Sequence, residues 1–201
     1  MADTVKKLEF FFIFLALPSI IFLFDSTTIV FLTLYLVFIF SLAILYFDKT
    51  FLLASLKKKI DWKFVLIFAV SFICLGFIYV LLIDKNLLFI FPKTNFKLWL
   101  VVVIAYPFLS VIPQEIVYRV FFFQRYFPKN NNNFNFLIIL NMFVFSYGHL
   151  VFNNFHAILI TAIVSPIFTF AYLKKSFLTC VVLHSLGGQI IFTLGLGKYF
   201  Y

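Results

Sequence analysis

The chemistry open to this 201-residue chain gathers in a few polar side chains set inside apolar runs. In Pro113-Gln114-Glu115-Ile116-Val117-Tyr118-Arg119 a carboxylate and a guanidinium stand at i and i+4, so a helix puts them on one face. The chain has seven acidic residues; Asp3, Glu9, Asp25, Asp48, Asp61 and Asp84 lie at the amino end or beside polar segments, and Glu115 alone sits deep in an apolar one. A charge at the centre of a membrane helix costs at least about 2.5–3.5 kcal/mol, which marks Glu115 as a functional-site residue. Two histidines have similar surroundings, His149 in Phe145-Ser146-Tyr147-Gly148-His149 and His184 in His184-Ser185-Leu186-Gly187-Gly188-Gln189. His156, just after Asn153-Asn154, reads as interfacial. A carboxylate and imidazoles in a wet cavity can activate water as general base. A second imidazole or an amide can stabilise the resulting oxyanion. Two histidines and one carboxylate also suffice to hold a catalytic zinc. Against these stand an ion pair that joins helices for Glu115 and Arg119, and hydrogen-bonded packing for each histidine. No HExxH or GxSxG signature narrows the choice, and spacing alone identifies neither peptide nor proton as substrate.

The elements that must position these groups are membrane helices. The chain is 65% hydrophobic and 11% charged, with 34 Phe, whereas a soluble domain is about 25% charged. The fold class expected is therefore all-α, a polytopic transmembrane bundle forming a single integral membrane domain over 1–201. Runs at 8–24, 28–47, 64–83, 98–123, 136–153, 155–173 and 177–196 each suit a span of about 20 residues, which gives seven spans within a range of six to eight. The first run follows Lys6 and Lys7 but lacks a small-x-small cleavage pattern, and reads as a retained helix. Pro107 and Pro113 open the fourth span, as proline does where a membrane helix lines a cavity. With the amino terminus inside, inside segments hold Lys6, Lys7, Lys49, Lys57, Lys58, Lys59, Lys63, Arg125, Lys129, Lys174 and Lys175; outside segments hold Lys85, Lys93, Lys97 and Lys198. That bias puts the amino terminus in the cytoplasm. The segment 49–63 suits a short surface helix with Trp62 at the interface, and the run Lys129-Asn130-Asn131-Asn132-Asn133 a polar loop.

The net charge of +9 is explained by topology and anionic headgroups, with no nucleic-acid partner implied. Cys74 and Cys180 are isolated in apolar runs, which argues against a thiolate metal site or a disulfide framework. At about 1.5 Å per residue, Glu115 is roughly 15 Å from the inner end of its span, His149 roughly 20 Å and His184 roughly 10 Å. Tilted helices could bring such depths together.

In order and interval the residues resemble the CPBP intramembrane proteases, the family of CAAX prenyl endopeptidases and bacteriocin-processing or immunity (Abi) proteins. That family carries EExxxR, then FxxxH, then HxxxN or HxxxD on successive spans. Here Gln114-Glu115 precedes Arg119, Phe145 precedes His149, and His184 follows; the resemblance covers about 98–196. It implies a membrane bundle with its site in a cavity between spans, open to the cytosol. It also implies intramembrane endopeptidase activity, described for the family as metal-dependent, on a zinc-like divalent ion, or as metal-free. Within that scheme Glu115 is base or metal ligand, His149 prepares the water, and His184 holds the oxyanion. Arg119 fixes Glu115. A bound metal would take Glu115, His149 and His184. Gln114 and Gln189 are the substrate or oxyanion contacts. The implied partners are the lipid bilayer and a peptide or protein substrate, prenylated or a leader or bacteriocin peptide. The richness in Phe, Ile, Lys and Asn points to a bacterial cytoplasmic membrane. Two positions depart from the pattern: Gln114 stands where the family has its first glutamate, and Gly188 where it has Asn. The departures raise a second reading, a catalytically silent binding or scaffold protein; a small transporter is a third.

Overall fold

The computed structural model describes residues 2–24, 26–47, 59–127 and 133–200. The polar loop at 129–132 and most of the basic segment 49–63 lie outside them. Among the described residues all regular structure is helical. Seven long helical stretches follow one another: α1 (2–22), α2 (Thr27–Phe47), α3 (Trp62–Ile83), α4 (Phe96–Tyr126), α5 (Phe134–Phe152), α6 (Phe155–Lys175) and α7 (Phe177–Leu194). Each expected span falls on one of them. The six from α2 to α7 are long and apolar enough to cross a membrane. α1 begins at Ala2 and carries Lys6, Lys7 and Glu9 in its first half, which shortens its uncharged stretch. The chain is a multi-pass helical membrane protein, and many large apolar side chains stay exposed on it, Leu36, Leu66 and Ile104 among them. In water such a surface would be a liability; toward lipid it is the ordinary condition of a membrane bundle.

The chain forms two compact units, residues 1–53 with 113–170, and residues 54–112 with 171–201. The division passes through α4 between Ile112 and Pro113 and through α6 after Phe170.

The first unit packs α1, α2, α5 and most of α6 with the second half of α4. Phe14 of α1 is fully buried, its ring 5.6 Å from those of Tyr118 and Phe122. The charges of α1 are used nearby. Glu9 accepts two hydrogen bonds of 3.0 Å from Arg125 and one of 2.6 Å from the Tyr126 hydroxyl. This clasp ties the start of α1 to the end of α4. Glu9→Gln keeps the shape and removes the charge, so we expect a loss of about 1–3 kcal/mol, read as a lower unfolding midpoint in detergent. An unchanged midpoint would mean that the clasp is incidental.

Within this unit α4 opens into a wide π turn over Ile116–Phe121. Such turns change which carbonyls are satisfied inside the helix. The Tyr118 carbonyl accepts from Asn141 Nδ2 at 2.7 Å, and Asn141 Oδ1 accepts from the Thr169 hydroxyl at 2.8 Å. One buried amide thereby joins α4, α5 and α6.

The second unit holds α3, the short helix Ile90–Thr94, the first half of α4, the end of α6 and α7. Here α4 makes another wide turn, Pro107–Val111. Pro107 has no N–H to offer the carbonyl four residues before it, which is Val103. Gln189 Nε2 of α7 donates to that oxygen at 2.9 Å. Asp61 caps α3, accepting from the Phe64 N–H at 3.0 Å, and its other oxygen lies 2.9 Å from Lys175 Nζ. Trp62 follows at 64% exposure, as an interfacial aromatic would. The bond from Lys175, and then that from the Phe64 N–H, hold the Asp61 carboxyl below the usual carboxylate range. A depressed folded-state pKa contributes stability above the unfolded value, near pH 4, and that contribution is lost as pH falls through the lower folded value. Asp61→Asn should flatten this acid limb of the pH–stability curve; an identical limb would contradict it.

Candidate active site

Glu115 and Arg119 are fully buried, with Arg119 Nε 3.5 Å from Glu115 Oε2. The guanidinium carbon lies 4.2 Å from the centre of the Phe145 ring and 6.0 Å from that of Phe168. Arg119 Nη2 donates to the Ser165 hydroxyl at 3.3 Å. The pair thus fastens α4 to both α5 and α6. Aromatic faces stabilise a desolvated guanidinium, and the carboxylate neutralises it where water does not reach.

His149 stands at the end of α5, where the helix tightens into the 3-10 turn His149–Phe152. It is 7% exposed. Its Nδ1 is 2.8 Å from the Phe145 carbonyl oxygen. A carbonyl only accepts, so Nδ1 carries the hydrogen, and in the neutral ring Nε2 bears the lone pair. That is the tautomer a base or a ligand needs.

His149 and Gln114 both line a cavity of about 90 Å³ within the first unit, with Tyr118, Gly148 and Thr33 as further wall and apolar residues of α1 and α2 closing it. This is room for several waters rather than for a peptide. Glu115 does not line it. Of the two neighbours, the amide borders the cavity while the carboxylate is engaged with Arg119. Tyr118 was not foreseen as part of this wall. Its hydroxyl lies where a side chain on Gly148 would begin, so Gly148 beside His149 was the available hint.

His184 belongs to the second unit. Its Nε2 is 3.2 Å from the Tyr106 hydroxyl. Gly188, one turn later on α7, lies against the same tyrosine ring. Gln189 is also in this unit, its amide nitrogen bound to the Val103 carbonyl as described.

Among the described residues no three His, Cys, Asp or Glu side chains gather as a group that could hold a metal ion. A catalytic zinc needs three protein ligands. Within neither unit do the described residues supply them.

A family model described as Rce1-like, type II CAAX prenyl endopeptidase, matches residues 96–187. The matched stretch is similar to the CPBP/CAAX protease family and takes in Glu115, Arg119, His149 and His184. No curated protein and no solved structure gives a significant match.

Proposed function

We propose that this chain, supported as a CAAX-protease-family protein by the match over residues 96–187, is an intramembrane endopeptidase whose water is activated by His149. The observation that carries this reading is the tautomer of His149 at the cavity wall, with Nδ1 held by the Phe145 carbonyl. His149 Nε2 takes a proton from a cavity water as the oxygen attacks the peptide carbonyl. The imidazolium returns that proton to the leaving amine as the C–N bond breaks. Gln114, on the same wall, orients the water. An amide cannot accept the proton at neutral pH, but it can accept and donate hydrogen bonds.

Glu115 takes a different part from the base role expected of it. With Arg119 it anchors α4 to α5 and α6, and so fixes the register of Gln114. The substrate class is a peptide or protein segment presented at the membrane, prenylated or a leader peptide. Quenched fluorescent peptides, half of them ending in a farnesylated cysteine segment, should be cleaved by the purified protein in nanodiscs. Gln114→Leu should lower that rate at least about tenfold. No cleavage by the wild-type protein would contradict the peptidase reading and favour a silent binding protein.

A further inference from the structure

The second unit has a cavity of its own, which the proposed hydrolysis does not use. It measures about 330 Å³ and lies among Ile90 and Phe91 of the short helix, Leu98 and Val102 of α4, Phe192 of α7, and Lys198 beyond α7. The turn that brings Lys198 here starts at Gly195, which closes α7 with φ at +96°. A Cβ at Gly195 would fall on the Leu87 carbonyl, so glycine is what lets the chain leave α7 in this left-handed cap. The 3-10 turn Leu196–Phe200 follows and carries the lysine. Ile90 is 41% and Leu98 49% exposed, so the cavity opens past them to the surface of the bundle, where lipid lies.

Among the described residues that line this cavity, Lys198 alone carries a charge. Its side chain is exposed, with Nζ 5.0 Å from the centre of the Tyr199 ring. The segments at this end of the unit also hold Lys85, Lys93 and Lys97 against one carboxylate, Asp84. Lys93 folds back, donating to the Leu88 carbonyl at 3.3 Å. Trp99, whose Nε1 donates to the Thr193 hydroxyl at 3.1 Å, and Tyr199 are aromatics of the kind found at a membrane–water interface. An apolar cavity that opens to lipid beside a cation suits an amphiphile with an anionic head. A methylene needs about the room of a water, whose share of liquid volume is about 30 Å³, so the cavity takes about ten of them, part of one acyl chain. We propose that it binds one anionic phospholipid of the surrounding bilayer, with an acyl chain in the cavity and the phosphate at Lys198. A tail in the bilayer is already in apolar surroundings, so burying the chain does not distinguish one lipid from another. The preference over a neutral lipid comes from the rim, where one lysine near a headgroup is worth about fivefold in occupancy.

The test is photolabelling of the full-length protein in phosphatidylcholine nanodiscs. The probes are phosphatidylglycerol and phosphatidylcholine bearing the same diazirine-labelled acyl chain, and labelled positions are read by mass spectrometry. Label on Phe91, Val102 and Phe192 is divided by label on Leu75, which is 63% exposed on α3. We expect this ratio to be at least about fivefold higher with phosphatidylglycerol, and to fall to the phosphatidylcholine value in Lys198→Glu. Because Lys198 is exposed, that variant should keep the wild-type unfolding midpoint, and the test stands on it even if a cavity-filling variant fails to fold. Val102→Trp, which fills the cavity, should lose the cavity label with both probes. Equal ratios for the two lipids would mean that any tail enters, and overturn the proposal. Label on Leu75 with none in the cavity would overturn it too. Lys85 is at the same end but does not border the cavity; a loss in Lys85→Glu as large as in Lys198→Glu would assign the effect to the general charge of this end and overturn the site. A diazirine fatty acid that displaces the phosphatidylglycerol probe would give the cavity to a free carboxylate amphiphile instead. No outcome depends on hydrolysis, so the peptidase reading can fail while this one stands.

Discussion

Replacing His149 by alanine is expected to lower peptide hydrolysis about 10²–10⁴-fold and to leave the bundle folded. The imidazole is held at one nitrogen by the Phe145 carbonyl at 2.8 Å and flanked by the Phe145 ring, 4.6 Å away between centres. It is thus restricted in rotation and set in one tautomer. The same contacts would serve a histidine used only for packing, so alanine does not separate the two roles. His149→Gln does. Glutamine can still donate to the Phe145 carbonyl and fill part of the space, but it offers no basic nitrogen. If His149 is the base, His149→Gln unfolds within a few degrees of the wild-type temperature and has lost its hydrolysis. A variant that retains hydrolysis within threefold assigns His149 to packing.

The second large effect is on folding. Arg119→Met removes the guanidinium and leaves the Glu115 carboxylate in a place with no exposure. Breaking a buried pair from one side costs about 3–5 kcal/mol, and the contact with Phe145 at 4.2 Å is lost as well. Most of a small bundle's stability is of that size, so the variant should accumulate poorly and unfold early in detergent. Arg119→Lys should rescue little, because an ammonium neither spans Glu115 and Ser165 nor lies flat on the ring. Glu115→Gln together with Arg119→Met removes both charges and should recover most of the midpoint. The double variant should also keep measurable hydrolysis, since Glu115 is an anchor in this reading. Full stability with abolished hydrolysis would return the base role to Glu115.

Much of the fold was legible because lipid imposes a simple rule on composition. Each apolar run became a helix, and the proline pair at 107 and 113 marked where α4 departs from regular geometry. The face of each α4 residue was not legible. Wide turns over Pro107–Val111 and Ile116–Phe121 break the 3.6-residue count, so spacing could not decide whether Gln114 or Glu115 borders the cavity. The i, i+4 reading of Glu115 and Arg119 survived because the pair meets directly. The tyrosines at both histidines went unnoticed for another reason. Tyr106 is 78 positions from His184, and the only local trace of such a contact is a glycine on the histidine's helix. Gln189 was read by its chemistry as an oxyanion contact, while its donor serves the carbonyl that Pro107 deprives of a partner. Lys6 and Lys7 were read as marks of topology and Glu9 only as an acidic residue at the amino end, yet Glu9 pairs with Arg125 across 116 positions.

The most direct measurement is cleavage of a peptide library in H₂¹⁸O by the purified protein in nanodiscs, wild type beside His149→Gln, with products read by mass spectrometry. Activation of water by His149 requires new carboxyl ends carrying one ¹⁸O from the wild-type protein and none above background from His149→Gln. Intact peptides with the wild-type protein, or equal labelled cleavage by the variant, would contradict it.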